Sequence, residues 1–190
     1  MRFGVLSLIV LSSAVGHAQT NFAAAANGGV ATQSSTGFSA PASRGNDGNR
    51  DGHFFNGTSV THTNSEFGAW WEVAFASVEE INQILIFNRT DCCSERINMF
   101  SVRLYDSGGS EVWSDTNNTF TPTITGTNLS GMQIDAPGVL AKRLRVQLDG
   151  TNYLHLAEVE AYNVVPEPAT LAALAAGIGL VSRRLRRRTA

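Results

Sequence analysis

Short segments in which apolar and polar residues alternate constrain the fold of this chain most strongly. They occur at 71–75 (Trp-Glu-Val-Ala-Phe), 100–104 (Phe-Ser-Val-Arg-Leu) and 144–148 (Leu-Arg-Val-Gln-Leu). A period of two predicts strands that each bury one face. Residues 84–87 (Ile-Leu-Ile-Phe) form a continuous apolar run that predicts a strand covered on both sides, and 156–162 predict a closing strand.

Turn-forming residues separate these segments, at 106–109 (Asp-Ser-Gly-Gly) and at 135–138 (Asp-Ala-Pro-Gly). No long amphipathic helix is predicted between 27 and 163. This pattern indicates an all-β fold, an antiparallel β-sandwich or jelly roll. Function in such folds lies on the loops, and residues 44–63 form the longest polar segment, rich in glycine and asparagine.

Both ends have the composition of targeting segments. A basic residue, an apolar run over 5–15 and small residues predict a signal peptide over 1–18. We assign 19–26 to a linker, 27–163 to the folded domain and 164–190 to a sorting tail. The mature domain then has 8 basic and 15 acidic residues. It lacks the basic field that attracts nucleic acid or anionic lipid, so those partners are not expected.

The tail has three parts. Pro166-Glu167-Pro168 precedes an apolar stretch over 169–181, and five arginines follow. The apolar part is shorter than the roughly 20 residues of a membrane helix, so a transient anchor is expected, with the arginines on the cytoplasmic side. This arrangement resembles the PEP-CTERM sorting signal of bacterial exported proteins. The resemblance implies cleavage by an exosortase-type protease and a final location at the cell surface or outside the cell; an ordinary tail anchor is the alternative.

A histidine, two arginines and an aspartate recur at defined spacings. Twenty-six residues separate His62 from Arg89, one separates Arg89 from Asp91, and four separate Asp91 from Arg96. The surrounding blocks are Ala31-Thr32-Gln33-Ser34-Ser35, Asp47-Gly48-Asn49, Thr61-His62-Thr63, Trp70-Trp71-Glu72-Val73 and Asn88-Arg89-Thr90-Asp91-Cys92-Cys93. In order and spacing these resemble the F-type lectins over essentially the whole domain. The resemblance implies a calcium-supported lectin for L-fucose or fucosylated glycans, on a sandwich related to galactose-binding domains.

These residue types suit a neutral sugar. Arg89 and Arg96 offer directed N–H donors to its oxygens, and the His62 imidazole is expected to add another. We expect Asp91 to accept from one or both arginines and hold them in place. The resemblance implies that an axial hydroxyl like that of L-fucose lies among the three basic side chains. Taken singly, these residues have plainer interpretations: a surface ion pair and a solvated histidine.

Cys92 and Cys93 are neighbours, so their Cα atoms are about 3.8 Å apart, below the usual disulfide range of about 4.4 to 6.8 Å. Two free thiols are the alternative, although an exported protein favours oxidation. The resemblance implies a disulfide that packs on the sugar ring. Phe54 or Phe55 is expected to supply a further apolar surface, with Phe55 our assignment.

Residues 44–49 (Arg-Gly-Asn-Asp-Gly-Asn) place carboxylate and amide oxygens in a turn, and hard oxygen ligands suit Ca²⁺. An ordinary turn is the alternative. The resemblance implies a structural calcium ion that orders the loop of Phe55 and His62. Its implied ligands are side chains of Asp47, Asn49, Ser59 and Glu158 and the backbone carbonyls of Arg44 and Ala157. Asn46 stands where the family usually has an apolar residue.

Catalysis is not expected, because no nucleophile or open metal arrangement is recognisable. Glu158 and Glu160 are close carboxylates, and our expectation that they face opposite sides of the closing strand argues against glycoside hydrolysis. The alternative function is a discoidin-like adhesion module of the cell surface or matrix, without fucose specificity. Such a module would not require His62, Arg89 and Arg96 at these spacings. The sequence leaves the oligomeric state and the natural glycan open.

Overall fold

The structure, a computed structural model, describes residues 19–165. The predicted signal peptide over 1–18 and the sorting tail beyond Val165 lie outside the described residues. Within the described range, no helix is long and apolar enough to cross a membrane.

Antiparallel strands make up most of the described chain. They are β1 (Val30–Gln33), β2 (Glu66–Phe67), β3 (Trp70–Asn88), β4 (Asn98–Tyr105), β5 (Glu111–Thr119), β6 (Ile124–Gly126), β7 (Leu129–Leu148), β8 (Thr151–Asn152) and β9 (Leu156–Tyr162). Between residues 19 and 165, helical structure is limited to 3₁₀ turns at Ala25–Asn27, Ala42–Gly45 and Ser94–Arg96 and to α1 (Phe54–Gly57). The predicted all-β class is confirmed, and each predicted strand lies within an observed one.

The long strands β3 and β7 organise the main sheet. Its order is β1-β3-β7-β4-β5, with β9 also beside β3 and β6 also beside β7, while β2 and β8 form a separate pair. The first half of β3 pairs with β1 and its second half with β9. Register shifts between Ala74 and Glu79 and between Ile81 and Gln83 separate the halves. Such irregularities bend a strand, so β3 can pair with β1 in one part of the sheet and with β9 in another.

Both halves of β3 face the same core. Trp71 and Val73 of the first half and Ile84 and Ile86 of the second belong to one buried cluster. The sheet therefore folds around a single core, as in a sandwich. Complete burial of each large apolar side chain contributes about 1.5 to 3 kcal/mol.

The second half of β3 is also covered on its outer face. Leu85 and Phe87 contact Val60 and Ala157 in a smaller buried cluster, against which Phe54 packs. This confirms the prediction of a strand covered on both sides for 84–87. The small cluster supports the loop from α1 to Val60, which precedes the predicted ligand residues.

One predicted turn is confirmed and the other was wrong. Residues 106–109 reverse the chain between β4 and β5, where the Gly109 N–H donates to the Asp106 carbonyl over 3.2 Å. Residues 135–138 instead lie within β7, with Gly138 at φ +78°. Pairing with β3 continues on both sides of this site, so the Pro-Gly signal marks a bend and not a reversal.

The cross-strand pair of Phe87 and Gly131 requires a residue without a side chain on β7. A Cβ at Gly131 would lie 2.6 Å from the buried Phe87 ring. We expect Gly131→Ala to lower the free energy of unfolding by about 1 to 3 kcal/mol, measured by urea denaturation. Gly150→Ala is the control, since nothing lies within 4 Å of its Cβ position. Equal losses in the two variants would contradict this packing.

Candidate functional site

A cavity of about 240 Å³ opens among the loops around His62 and Arg89. Its walls are Phe38, Phe54, Phe55, His62, Arg89, Cys92, Cys93, Arg96 and Tyr153. Six of the seven residues that the sequence predicted for ligand binding line it, and the seventh, Asp91, bonds to Arg89. The cavity combines three nitrogen-bearing side chains with aromatic and disulfide walls, a composition that suits a small ligand with polar and apolar faces.

His62 is held between two threonines that pair with the chain entering β9. The N–H groups of Thr61 and Thr63 donate to the carbonyls of Leu156 and Leu154 over 2.8 and 2.9 Å. Their hydroxyls accept from the N–H groups of the same leucines over 3.0 and 2.9 Å. In a regular antiparallel ladder the leucine N–H groups would donate to backbone carbonyls, and here the threonine hydroxyls take that place. The backbone is therefore fixed on both sides of His62.

The protonation of His62 follows from its neighbours. Its Nδ1 lies 2.6 Å from the Thr63 carbonyl, which can only accept, so Nδ1 carries the proton. Burial lowers the pKa of His62, and the charges of Arg89 and Arg96 lower it further, against the hydrogen bond to Thr63. The neutral ring therefore keeps Nε2 as an acceptor. This differs from the donor role that we expected from the sequence.

Arg89 and Asp91 form a buried, two-point ion pair. Arg89 Nε and Nη2 donate to Asp91 Oδ1 and Oδ2 over 2.6 and 3.2 Å, and the side chains are only 4% and 6% exposed. Burial acts to raise the pKa of Asp91, but the hydrogen bonds and charge of Arg89 outweigh it and hold that pKa below its usual range. Among the described residues, Asp91 makes no ion pair with Arg96, whose guanidinium lies 4.8 Å from the centre of the Tyr153 ring.

The loop that carries the arginines is fixed by Asn88, which is fully buried. Its Oδ1 accepts from the Arg89 N–H over 2.7 Å, and its Nδ2 donates to the Ser94 carbonyl over 2.8 Å. The Thr90 N–H donates to the Gly52 carbonyl over 2.9 Å. A Cβ at Gly52 would lie 2.6 Å from the Asn88 carbonyl oxygen, so only glycine permits this approach.

Both phenylalanines of α1 line the cavity, where the sequence left a choice. The Arg89 guanidinium lies 4.5 Å from the centre of the Phe54 ring and 5.4 Å from that of Phe55. Phe55 is 75% exposed, so a large apolar surface remains available to a ligand. Cys92 and Cys93 form a disulfide that also lines the cavity.

Three further aromatic residues near His62 were missed by sequence reasoning. The ring centres of Phe38, Tyr153 and His155 lie 4.7, 5.2 and 5.6 Å from that of His62. Phe38 is 72% exposed at φ +53°. His155 is fully buried, and neither ring nitrogen has a hydrogen-bond partner among the described residues. Burial lowers its pKa to about 3, and the nearby positive groups add to this effect, so His155 is neutral.

The two acidic residues of β9 lie on one face of the strand. The expectation that Glu158 and Glu160 face opposite sides was wrong, because side chains alternate with a period of two. Glu160 accepts from Arg50 at two points, over 2.6 and 2.7 Å, and from the Tyr162 hydroxyl over 2.9 Å. Glu158 instead accepts from the Gly48 N–H over 3.2 and 3.3 Å.

Glu158 has no ion-pair partner among the described residues, although it is fully buried. Burial raises its pKa to about 8, and the carboxylates of Asp47 and Glu160 also raise it. Burial also raises the pKa of Asp47. Buried, mutually repelling carboxylates are the donor set that a divalent cation stabilises.

Three of the other predicted metal ligands, Asn49, Ser59 and Ala157, have contacts of their own within the protein. Asp47 Oδ1 accepts from the Asn49 N–H over 2.9 Å, and Asn49 Oδ1 accepts from the Asp51 N–H over 3.1 Å. The Ser59 hydroxyl donates to the Asp51 carbonyl. Ala157 is skipped in the register between β3 and β9, as in a β-bulge. Within residues 19–165, no three or more acidic, histidine or cysteine side chains cluster as a metal site.

Asn46, where the sequence departs from the family pattern, is buried and hydrogen-bonds to the N-terminal segment. Its Nδ2 donates to the carbonyls of Ala23 and Gly29 over 2.9 and 3.1 Å. The polar side chain is therefore satisfied inside the structure, and the following turn still reaches Glu158 through Gly48.

Several known proteins are similar to this chain in sequence and in fold. Residues 44–146 match the family model of the NedA-like, galactose-binding domain. Fucolectin-6 of Anguilla japonica is 33% identical over 128 residues, which are 66% of this chain and 64% of that protein, just under two thirds of its length. Fucolectin of Anguilla anguilla is 32% identical over 123 residues, which are 63% of this chain and 74% of that protein. The chain belongs to the F-type lectin, or fucolectin, family.

The fold of the fucolectin domain matches that of a solved fucose binding module from Streptococcus pneumoniae. The TM-score is 0.68 at 33% identity, covering 77% of this chain and 96% of the module. These relatives are lectins and carbohydrate-binding modules and not enzymes, in agreement with the class of protein expected from the sequence.

The fucolectin domain is followed by a second matched region. Residues 164–188 match the PEP-CTERM protein-sorting motif, as the sequence predicted, and this motif indicates export and C-terminal sorting. Almost all of it lies outside the described residues.

The hydrogen bond from His62 to the Thr63 carbonyl predicts which ring nitrogen carries the proton, and this can be measured. We expect ¹⁵N NMR of the imidazole to show the Nδ1–H form at pH 7 and protonation only below the ordinary pKa of about 6.5. Arg96→Ala should raise this pKa, because it removes a nearby positive charge, whereas Arg103→Ala, far from the cavity, should not. An Nε2–H form, or protonation near pH 6.5 in the wild type, would contradict the assignment.

Proposed function

We propose that this domain is a lectin that binds L-fucose or fucose-containing glycans in the cavity of His62, Arg89 and Arg96. The relatives are named fucolectins or a fucose binding module. The observation that carries the proposal is the meeting of the buried Arg89–Asp91 pair, neutral His62 and the Cys92–Cys93 disulfide in one small cavity.

The chemistry of the cavity matches the two kinds of surface on a deoxy sugar. The guanidinium groups of Arg89 and Arg96 donate to hydroxyl and ring oxygens, while His62 Nε2 accepts from a hydroxyl. Asp91 fixes Arg89 before the ligand arrives, which lowers the entropy lost on binding. Phe55 and the disulfide offer apolar contact to a methyl group and to the carbon face of the ring.

Arg96 is the best residue for a test, because it makes no ion pair among the described residues. We expect Arg96→Ala to weaken L-fucose binding at least tenfold, since hydrogen bonds to charged groups contribute about 1.5 to 3 kcal/mol. Isothermal titration calorimetry measures this change. Arg103→Ala is the control, as Arg103 pairs with Glu111 outside the cavity.

Arg89→Ala is a less specific test of ligand binding, because it leaves Asp91 buried without its partner and so also destabilises the fold. Unaltered fucose affinity in Arg96→Ala, at an unchanged melting temperature, would overturn the assigned role. A glycan array without fucose-dependent binding by the wild type would overturn the function and favour an adhesion module.

We also propose that Ca²⁺ supports the lectin. The donor set fits a hard cation: Asp47 and Glu158 would contribute carboxylate oxygens, Asn49 and Ser59 side-chain oxygens, and Arg44 and Ala157 carbonyls. A bound ion would stabilise the ionised form of the buried Glu158 and hold the loop that leads to Phe55 and His62. Its role would be structural.

Calcium should raise the melting temperature, because an ion that binds only the folded state stabilises it, by about 2.7 kcal/mol at 100 times the Kd. Glu158→Gln should lose this response, since the amide cannot ionise and so offers the cation no anionic oxygen. Asp135→Asn, an exposed change on β7, should keep it. No shift in the wild type between chelator and excess Ca²⁺, or an equal shift in Glu158→Gln, would refute the proposal.

The sorting motif supports a proposal for the location of the lectin. We infer that an exosortase-type protease cleaves near Pro166-Glu167-Pro168 after the transient membrane anchor has held the chain. The lectin would then act at the cell surface or outside the cell, where glycans are accessible.

A further inference from the structure

Two arginines of β7 share one carboxylate of β3 on the outer face of the main sheet. Glu72 Oε2 accepts from Arg145 Nε over 2.8 Å, and Glu72 Oε1 accepts from Arg143 Nη1 over 3.3 Å. The Glu72 side chain is only 10% exposed, whereas those of Arg143 and Arg145 are 33% and 25% exposed. Within residues 19–165 these arginines make no other ion pair. One positive charge is therefore left in excess at the surface.

Two aromatic rings flank the arginines. The Arg145 guanidinium lies 4.4 Å from the centre of the Trp70 ring and 5.6 Å from that of Tyr105. The Arg143 guanidinium lies 5.3 Å from the centre of the Tyr105 ring. These contacts and the shared carboxylate hold the guanidinium groups in place before a ligand binds. We call this surface the arginine–aromatic face; it consists of Trp70, Glu72, Tyr105, Arg143 and Arg145.

The arginine–aromatic face lies on the side of the sheet away from the core. Val73 of β3 and Leu144 and Val146 of β7 belong to the buried core, and successive side chains of a strand point to opposite sides. The neighbouring Arg103 pairs with Glu111 over 3.0 Å, so its charge is already balanced. No residue of the face lines the proposed fucose pocket. A ligand of this face would therefore bind independently of fucose.

The chemistry of the face selects a class of ligand. Two guanidinium groups have more N–H donors than one carboxylate can satisfy, and they suit a further carboxylate or sulfate. Aromatic rings pack against the carbon face of a sugar. The domain has 8 basic and 15 acidic residues, so the rest of its surface repels densely charged nucleic acid or an anionic bilayer. A polymer whose charges are separated by neutral sugar surface fits the single excess charge and the rings together.

We propose that the arginine–aromatic face binds an acidic polysaccharide. A uronate carboxylate accepts from the exposed N–H groups of Arg143 and Arg145, and its sugar ring packs beside Trp70 and Tyr105. Because this site and the fucose pocket share no residue, one chain can hold an acidic polymer and a fucosylated glycan at the same time.

The test is isothermal titration calorimetry of the purified protein with short oligogalacturonates and with their methyl esters, without added Ca²⁺. We expect the oligogalacturonates to bind with a Kd below about 1 mM at low ionic strength. The affinity should fall as salt screens the charges. The methyl esters, which have the same sugar rings without the negative charges, should bind at least about tenfold more weakly.

Arg143→Gln and Arg145→Gln each remove one guanidinium and leave Glu72 paired with the other, so neither variant leaves a buried carboxylate without a partner. We expect each change to weaken oligogalacturonate binding about threefold to tenfold and to leave the affinity for methyl α-L-fucoside unchanged. Lys142→Gln is the matched control on the same strand. Its ammonium group donates to two backbone carbonyls of β3 over 2.6 and 2.9 Å, so the variant should bind oligogalacturonate like the wild type.

The proposal is overturned if the wild type does not bind oligogalacturonate, if the methyl esters bind equally well, or if both arginine variants keep the wild-type affinity. Competition by saturating methyl α-L-fucoside would also overturn it, because the polymer would then occupy the fucose pocket. Tighter binding to phosphatidylglycerol vesicles or to a single-stranded oligonucleotide would assign the face to a phosphate ligand instead. Melting temperatures of the variants identify a loss of binding that reflects unfolding, and the comparison of acid with ester in the wild type does not depend on them.

Discussion

The position of His62 in the long connection from β1 to β2 depends on one attachment, the pairing of Thr61 and Thr63 with Leu154 and Leu156. This connection contains only short helical turns, so its position is set by contacts with the sandwich. Where the threonines attach, four hydrogen bonds join the loop to the chain that enters β9. The same attachment places the His62 ring beside Tyr153 and His155 and links the cavity to the strand that carries Glu158.

Ionisable side chains are buried in two different ways near this attachment. Arg89 and Asp91 satisfy each other, so their desolvation is offset by a two-point ion pair. Glu158 is buried with only a backbone donor, near other carboxylates. The first arrangement is complete within the chain, whereas the second would be completed by the calcium ion proposed above. The cavity is thus preorganised by contacts within the protein, and the adjoining loop is the part for which an ion is proposed.

The sequence predicted the strands because side-chain burial repeats with the period of a sheet. It was wrong at 135–138, since proline and glycine mark a bend as readily as a reversal, and only the continued pairing with β3 distinguishes them. Motif spacing identified the basic residues of the cavity. Phe38 was not predicted, because it lies near His62 only through its left-handed backbone conformation. Tyr153 was not predicted, because it is brought near His62 by pairing between segments that are distant in sequence. The proton on His62 likewise depends on the position of the Thr63 carbonyl.

The Cys92–Cys93 disulfide joins neighbours and closes no loop of chain. The entropy of the unfolded state is therefore almost the same with and without this bond, and the sandwich gains little stability from it. Reduction of this bond would alter the wall of the cavity without releasing any closed loop of chain. A disulfide between distant strands would not separate the cavity wall from the stability of the fold in this way.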